Sequence, residues 1–160
     1  MNKNEPEIYN ENNYIDQICL GSITFSESVN ETEIVSKNKS RFKPKHIGEC
    51  KICVYGPNEG QIPHFHIFNN DHSFECCVRI YENNFFSHGN KYRDTLNASQ
   101  CRELNDWLKL ENSNLRLDNI SNWRGIMLMW EALNMTCKYP ESKKTEVQPH
   151  YEDMYLFKDV

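Results

Sequence analysis

Polar and apolar side chains alternate along residues 62–68 and again along residues 74–81. Successive side chains of a β-strand point to opposite faces, so His64 and His66 are expected to share one face, with the apolar residues on the other. The Asn-Asn-Asp-His sequence at 69–72 is typical of a turn. The pattern therefore predicts an antiparallel hairpin that has one apolar face and one polar face.

The predicted loop at 69–72 also sets the register of this hairpin. A shift of one residue would mix the two faces, so the hydrophobic pattern favours the register that the loop gives. The predicted cross-strand pairs are Phe68 with Ser73, His66 with Glu75, His64 with Cys77, and Ile62 with Arg79. This register brings polar side chains together in one cluster, which comprises His64, His66, Glu75, Cys77 and Arg79.

Three further segments contain the β-branched and aromatic residues that are typical of strands. Residues 14–25 include a glycine in mid-run, which predicts either one strand with a bulge or two short strands. Residues 46–55 predict a strand that ends in a Gly-Pro turn, and residues 85–88 predict a further antiparallel strand.

Apolar residues recur at helical spacing in the C-terminal half of the chain. Asn97 is a good N-cap, and Gln100 completes a capping box, which predicts a helix over about residues 98–111. We expect this helix to cover the apolar face of the hairpin. A second helix, capped by Ser121 or Asn122, carries tryptophans that are expected in the core rather than at a cofactor.

These elements predict an α+β fold, with a small antiparallel β-sheet of about four to five strands packed on one face by two C-terminal α-helices. The 160 residues are predicted to form three parts. These are an N-terminal polar segment at 1–45 with one or two strands, a single α+β core domain at 46–138, and a C-terminal tail at 139–160.

Composition narrows the possible environment and partners. The formal net charge of -5 argues against a general duplex-binding surface, although the lysine-rich residues 37–46 could form a local basic patch or a solvated linker. The chain has no apolar run long enough to span a bilayer, and its N-terminus lacks the pattern of a secretory signal. Seven cysteines at irregular spacing fit a reducing compartment better than a disulfide framework, so a cytoplasmic location is predicted.

A His-x-His pair on one strand face is a common way to present two imidazoles to a metal ion. His64 and His66 are therefore candidate ligands of a divalent metal, either zinc or manganese. His88 or Asp71 would complete the ligand shell. The alternative is that both imidazoles are partly solvated residues of the sheet face, paired with Glu75.

The cysteines and the His-x-His pair also allow other chemistries. Cys50 and Cys53 form a Cys-x-x-Cys pair, but residues three apart on a strand face opposite sides, which favours two ordinary strand residues over joint zinc ligation. Cys77, opposite His64 in the predicted register, is a candidate nucleophile, although buried cysteines are usually inert. The spacing from His64 to Asp71 resembles the first motif of a cupin barrel, but no second motif follows.

A Pro-His-Phe-His-Ile motif at 63–67 follows a strand and a turn, and it precedes an apolar strand at 76–80 and a capped helix that ends in Glu-Leu-Asn-Asp-Trp-Leu at 103–108. With this arrangement, residues 50–108 resemble the bacterial domain-of-unknown-function family 4160. The resemblance implies a β-hairpin sheet followed by a helix. It also implies a regulatory or mobile-element context, because members lie in operons similar to toxin–antitoxin modules.

The sequence predicts two alternative functions. The first is a protein-interaction or regulatory module of mobile-element, phage or toxin–antitoxin type, which agrees with the acidic, polar composition and the lack of a complete catalytic motif. The second is a metal-dependent hydrolase or nuclease. In that enzyme His64 and His66 would hold the metal, Glu75 would act as general base, and Arg79 would bind an anionic group.

Overall fold

Six strands form one β-sheet in the part of the chain that the structure describes, and they lie side by side in sequence order. The computed structural model describes residues 16–26, 47–57, 59–82, 85–87, 94–116, 119–145, 148 and 156–158. The strands are β1 (Gln17–Thr24), β2 (Glu49–Tyr55), β3 (His64–Asn69), β4 (Glu75–Arg79), β5 (Phe85–Ser87) and β6 (Leu156–Lys158). Neighbours from β1 to β5 are antiparallel, whereas β6 pairs in parallel with β5.

The described residues also form two α-helices, α1 (Ala98–Lys109) and α2 (Asn122–Leu133), and a short 3-10 helix at Glu141–Lys143. The two α-helices contact each other, and α2 packs on β1, β2 and β3. The predicted α+β class, with an antiparallel sheet packed by two C-terminal helices, is confirmed.

Asn97 caps α1 as the sequence predicts. Its side-chain oxygen accepts a hydrogen bond from the N–H of Gln100 at 2.8 Å, and the Gln100 side chain accepts one from the N–H of Asn97 at 2.9 Å. The helix ends at Lys109, before the predicted end at residue 111. Leu110 is extended, and its carbonyl accepts from the N–H of Asn122 at 2.8 Å. The residue after α1 is therefore hydrogen-bonded to the first residue of α2 instead of continuing the helix.

The two helices and one face of the sheet enclose a continuous apolar core. Ser121, one of the two predicted caps of α2, accepts a hydrogen bond from the N–H of Arg124 at 3.1 Å. Trp123 and Trp130 are buried in this core, as predicted, and the Trp123 indole donates to the carbonyl of Ile80 at 3.1 Å. The sheet and helices contribute further core residues, which include Leu20, Ile52, Val54, Phe65, Ile67, Cys76, Val78, Leu104, Leu108 and Ile126.

The hairpin of β3 and β4 forms, but the predicted register is wrong by two residues. His66 lies opposite Cys77 rather than Glu75, and His64 lies opposite Arg79 rather than Cys77. A shift of two residues leaves every side chain on its predicted face, because side chains alternate with a period of two. The predicted faces are therefore confirmed, and the predicted cross-strand partners are not.

The turn explains this shift in register. The side-chain oxygen of Asn69 accepts a hydrogen bond from the N–H of Phe74 at 3.0 Å, and its amide donates to the Ser73 hydroxyl at 2.9 Å. The Asn69 N–H also donates to the Phe74 carbonyl at 3.2 Å. Asn69 thus extends the ladder, and the loop occupies residues 70–73.

Both ends of the chain contribute strands to the sheet. β1 comes from the predicted N-terminal segment and shifts its register between Cys19 and Gly21, in agreement with the predicted bulge. β6 comes from the predicted C-terminal tail. The boundaries at residues 45 and 139 stay a prediction. None of the helices in the described ranges is long and apolar enough to cross a membrane.

Candidate metal centre

Three buried side chains of β3 and β4 point their donor atoms at one another, and one of them, His64, also packs against Trp130 of α2 with ring centroids 4.8 Å apart. They are His64 and His66 of β3 and Cys77 of β4, and one ligand atom from each lies within 4.8 Å of the others. Cys77 Sγ is 3.3 Å from Nδ1 and 3.9 Å from Nε2 of His66. The edge of the Tyr55 ring packs against His66, with ring centroids 4.6 Å apart. This arrangement brings together donors of the kinds that bind zinc.

Glu59 adds a fourth donor from the loop between β2 and β3. Its Oε1 atom lies 3.3 Å from Nε2 of His64 and 3.3 Å from Nε2 of His66. Hydrogen bonds with His64, and then with His66, lower the pKa of the Glu59 carboxyl far below its ordinary value. The Glu59 side chain is 30% exposed, so this residue lies between the two buried imidazoles and solvent.

The C-terminal end of α2 holds the Glu59 loop in place. Asn134 accepts a hydrogen bond from the N–H of Glu59 at 3.3 Å and donates to the Tyr55 carbonyl at 2.8 Å. Gly56 allows this close approach, because a Cβ atom there would lie 2.5 Å from the Leu133 carbonyl oxygen. The position of the carboxylate thus depends on tertiary contacts with α2.

The tautomer of His64 follows from its backbone partner. Nδ1 of His64 lies 2.8 Å from the carbonyl oxygen of Ile62, which can only accept, so Nδ1 carries the hydrogen. In a neutral imidazole, Nε2 then presents a lone pair to the Glu59 carboxylate. Two acceptors face each other at this distance only when a proton or a metal cation lies between them. A backbone carbonyl on the distal nitrogen is also the usual outer partner of a metal-binding histidine.

Two of the donor separations have the length expected between ligand atoms of a tetrahedral zinc ion. Zinc–nitrogen and zinc–oxygen bonds of about 2.0–2.1 Å place the ligand atoms about 3.3–3.4 Å apart along an edge of the tetrahedron. The contacts of Glu59 with His64 and His66 have this length, 3.3 Å. They are longer than an ordinary N–H···O hydrogen bond of about 2.9–3.0 Å.

Cys77 is better suited to metal binding than to nucleophilic attack. Burial, and then the negative charges of Glu59 and Glu75, raise the pKa of the Cys77 thiol well above its ordinary value. A neutral thiol is a poor nucleophile. A bound zinc ion would instead deprotonate the thiol, because the ion supplies the charge that the buried thiolate lacks. The nucleophile hypothesis also assumed that Cys77 lies opposite His64. In the structure, Cys77 lies opposite His66.

The proposed catalytic residues contact other groups. The Glu75 carboxylate contacts Nδ1 of His72, and the Glu75 N–H donates to Asp94 at 2.9 Å. Arg79 lies across the strand from His64, but its guanidinium forms an ion pair with Glu82 at 2.9 Å.

Of the two other candidate ligands, the structure describes only Asp71. Asp71 is exposed in the turn, where its carboxylate accepts from the N–H of Ser73 at 3.1 Å. His88 lies outside the described residues, so its role as a ligand stays a prediction.

Cys50 and Cys53 face opposite sides of β2, as the strand geometry predicts. Cys50 belongs to the helix-covered core, whereas Cys53 forms a disulfide with Cys19 of β1. This disulfide was not predicted from the irregular cysteine spacing. The bond depends on the register of β1 against β2, which sets Cys19 directly opposite Cys53.

Glu59 is the donor that the sequence pattern does not reveal, because it lies in a turn between two strands. One local signal points to it, since Glu59 lies in a short Gly-Pro-Asn-Glu-Gly segment that leads directly into the His-x-His strand. A short connection of this kind has to fold back beside the strand that it precedes.

Comparisons of the chain with protein families, with curated proteins and with solved structures find no match, so the resemblance of residues 50–108 to family 4160 stays a prediction.

Proposed function

We propose that this protein is a zinc-binding α+β domain in which His64, His66, Cys77 and Glu59 hold one ion at the sheet face. The observation that carries the proposal is the convergence of three buried ligand atoms within 4.8 Å, together with a carboxylate oxygen 3.3 Å from both Nε2 atoms. A zinc ion at this point would bind the two imidazoles, the thiolate and the carboxylate at once.

The donor types favour zinc over manganese. Thiolate and imidazole ligands suit zinc, whereas manganese prefers carboxylate, carbonyl and water oxygens. Cys77 supplies the thiolate, and His64 and His66 supply the imidazoles. Glu59 is the single oxygen donor in this set, and the proposed ligand shell is therefore that of a zinc site.

The proposed role of the ion is structural. Four protein donors leave no coordination position for a substrate, and zinc sites with four protein ligands are structural rather than catalytic. The ion would fasten the loop that carries Glu59 to β3 and β4. This role agrees with an interaction or regulatory module more readily than with a hydrolase, because Glu75 and Arg79 contact His72 and Glu82 instead of the proposed ion.

Metal analysis of untagged protein tests the proposal. We expect stoichiometric zinc in the wild type and its loss in His64→Ala, His66→Ala and Cys77→Ser. Matched controls are His72→Ala, which removes an exposed imidazole, and Cys137→Ser, which removes a partly exposed thiol. Both controls should keep their zinc.

The same preparations need a measurement that separates metal loss from unfolding. Far-ultraviolet circular dichroism reports the fold of each variant, and zinc titration of chelator-stripped wild type measures the site without any substitution. A stripped wild type that stays folded and takes up no zinc would refute the proposed site. Titration with manganese under the same conditions should give much weaker binding.

A further inference from the structure

Four neighbouring strands place three cysteines and a histidine side by side on the proposed zinc face. Cys19 pairs with Cys53, Cys53 pairs with His66, and His66 pairs with Cys77. Directly opposed residues of antiparallel strands have Cβ atoms about 4.5–5.5 Å apart. His66 is therefore flanked by two cysteines, Cys77 on one side and Cys53 on the other.

Cys53, the second of these cysteines, is bonded to Cys19 in the disulfide. Cys53 is completely buried, whereas Cys19 is partly exposed and its Sγ atom contacts the exposed side chain of Gln17 at 4.0 Å. An external thiol can thus reach the sulfur of Cys19 more readily than that of Cys53. Attack on Cys19 makes Cys53 the leaving group, next to His66.

We propose that reduction of the Cys19–Cys53 disulfide releases Cys53 as an additional zinc ligand, which replaces Glu59 and changes the site from one thiolate to two. This inference rests on the proposed zinc site. The reduced site would then hold zinc with His64, His66, Cys77 and Cys53, a Cys₂His₂ set of the kind found in structural zinc sites.

With a dithiol as the reductant, the exchange balances without other reactants. A thiolate of the reductant attacks Sγ of Cys19, the Cys19–Cys53 bond breaks, and its electron pair leaves with Cys53 as a thiolate. The second thiol of the reductant then attacks the mixed disulfide and frees Cys19. The reductant ends as a disulfide after giving up two electrons and two protons. Cys19 keeps one proton as a thiol, Cys53 binds zinc as a thiolate, and the second proton passes to solvent.

Two properties of the ligands favour the exchange of Glu59 for Cys53. A thiolate is a softer ligand than a carboxylate and suits zinc better. Cys53 is buried, so its thiolate is stabilised there only when a cation pairs with it. Glu59 is partly exposed on a loop and can return to water. The reduced state should therefore bind zinc more tightly and leave the Glu59 loop less constrained.

Two variants separate the effect of Cys53 from the loss of the disulfide. Cys19→Ser and Cys53→Ser both abolish the bond, but only Cys19→Ser keeps the Cys53 thiol. Zinc affinity, measured by competition with a chelating dye in a phosphine reductant, should be at least about tenfold higher in Cys19→Ser, because even outer partners of a metal ligand are worth that much. Cobalt substituted for zinc should show roughly twice the thiolate charge-transfer intensity in Cys19→Ser, because two thiolates bind the ion.

Wild-type protein provides the same comparison without a substitution. Zinc affinity should rise when the oxidised chain is treated with the phosphine, and it should not rise in Cys53→Ser. Equal zinc affinities and equal cobalt spectra in the two variants would overturn the role of Cys53 while the zinc site itself stands. Failure of every form to bind zinc, with the fold intact by circular dichroism, would refute both this inference and the proposed function.

Discussion

Phe65 and His66 are neighbours in β3 and are almost equally buried, with 0% and 2% of their surface exposed, yet they lie on opposite faces of the sheet. Phe65 packs into the apolar core beneath the helices, where any side chain of suitable size and shape makes favourable contacts. His66 contacts a carboxylate, a thiol and a tyrosine ring. Burial alone therefore does not determine which interactions stabilise each face of the sheet.

The difference between the two faces lies in how specific their interactions must be. An apolar core loses stability in proportion to the volume that a substitution removes. A buried polar face needs a correct partner for each donor and acceptor, because an unpaired buried group costs more than the contact gains. The helix-covered face should therefore set most of the stability, whereas the His-Cys face should make part of it depend on zinc.

The largest effect is expected for Phe65→Ala. Removal of this buried ring should lower the free energy of unfolding by about 3–5 kcal/mol, because it leaves a cavity in the core. Urea denaturation with and without a chelator measures the loss, which should be the same in both conditions. A loss that depends on the chelator would show that the two faces are not independent.

Removal of zinc should give the next largest effect. At a free zinc concentration about 100 times the Kd, binding to the folded state alone adds about 2.7 kcal/mol to the free energy of unfolding. His66→Ala should abolish this increment and His72→Ala should keep it. Denaturation curves of the three proteins in zinc and in chelator measure the difference. An unchanged increment in His66→Ala would exclude His66 as a ligand.

The residue pattern was sufficient to predict the parts of the fold that depend on local periodicity. Alternation placed His64 and His66 on one face, and the Asn97 cap placed the start of α1. These features depend on side chains that are close in sequence. For the same reason the class of the fold could be predicted without knowledge of any distant contact.

The site could be predicted only in part, because its geometry depends on contacts between distant segments. The register of β3 against β4 follows from hydrogen bonds of the Asn69 side chain, which a choice of loop length does not reveal. Glu59 reaches the imidazoles because Asn134, at the end of α2, holds its loop. The pairing of Cys19 with Cys53 depends on a bulged strand whose register the sequence pattern left open.

Cys76 and Cys77 provide a matched comparison of the two faces, since they are adjacent, both buried and both cysteine. Cys76→Ser puts a hydroxyl into the core and should cost about 1–3 kcal/mol, with zinc affinity unchanged. Cys77→Ser should lower zinc affinity by at least about tenfold. Denaturation in chelator and zinc competition titrations measure the two effects. Similar zinc affinities for the two variants would contradict the assignment of Cys77 as a ligand.

Asn97→Ala should have a smaller effect, confined to the helix-covered side. It removes the side-chain acceptor for the N–H of Gln100 and should lower the free energy of unfolding by about 1 kcal/mol. Zinc affinity should not change, because α1 contributes no residue to the proposed ligand set. Asn97→Ser is a suitable control, since serine is also a good N-cap and should restore most of the loss.

Glu59→Gln should have the smallest effect on stability, and its dependence on pH distinguishes a proton from zinc at this site. In chelator, the ionised carboxylate stabilises the folded chain, because its hydrogen bonds with His64 and His66 lower its pKa below the ordinary value of 4.5. This contribution decreases as the pH falls below 4.5, since the unfolded chain then takes up the proton first.

The difference in free energy of unfolding between wild type and Glu59→Gln should thus shrink on acidification, from a value below about 1 kcal/mol that reflects the partial exposure of Glu59. The control is Glu111→Gln, which neutralises an exposed carboxylate on the loop after α1.

In zinc at neutral pH, Glu59→Gln should also lower zinc affinity in the oxidised protein, because the amide is a weaker ligand than the carboxylate. A substitution that alters the acid dependence but leaves zinc affinity unchanged would show that Glu59 only hydrogen-bonds the imidazoles, and the ion would then be held by the two histidines and Cys77.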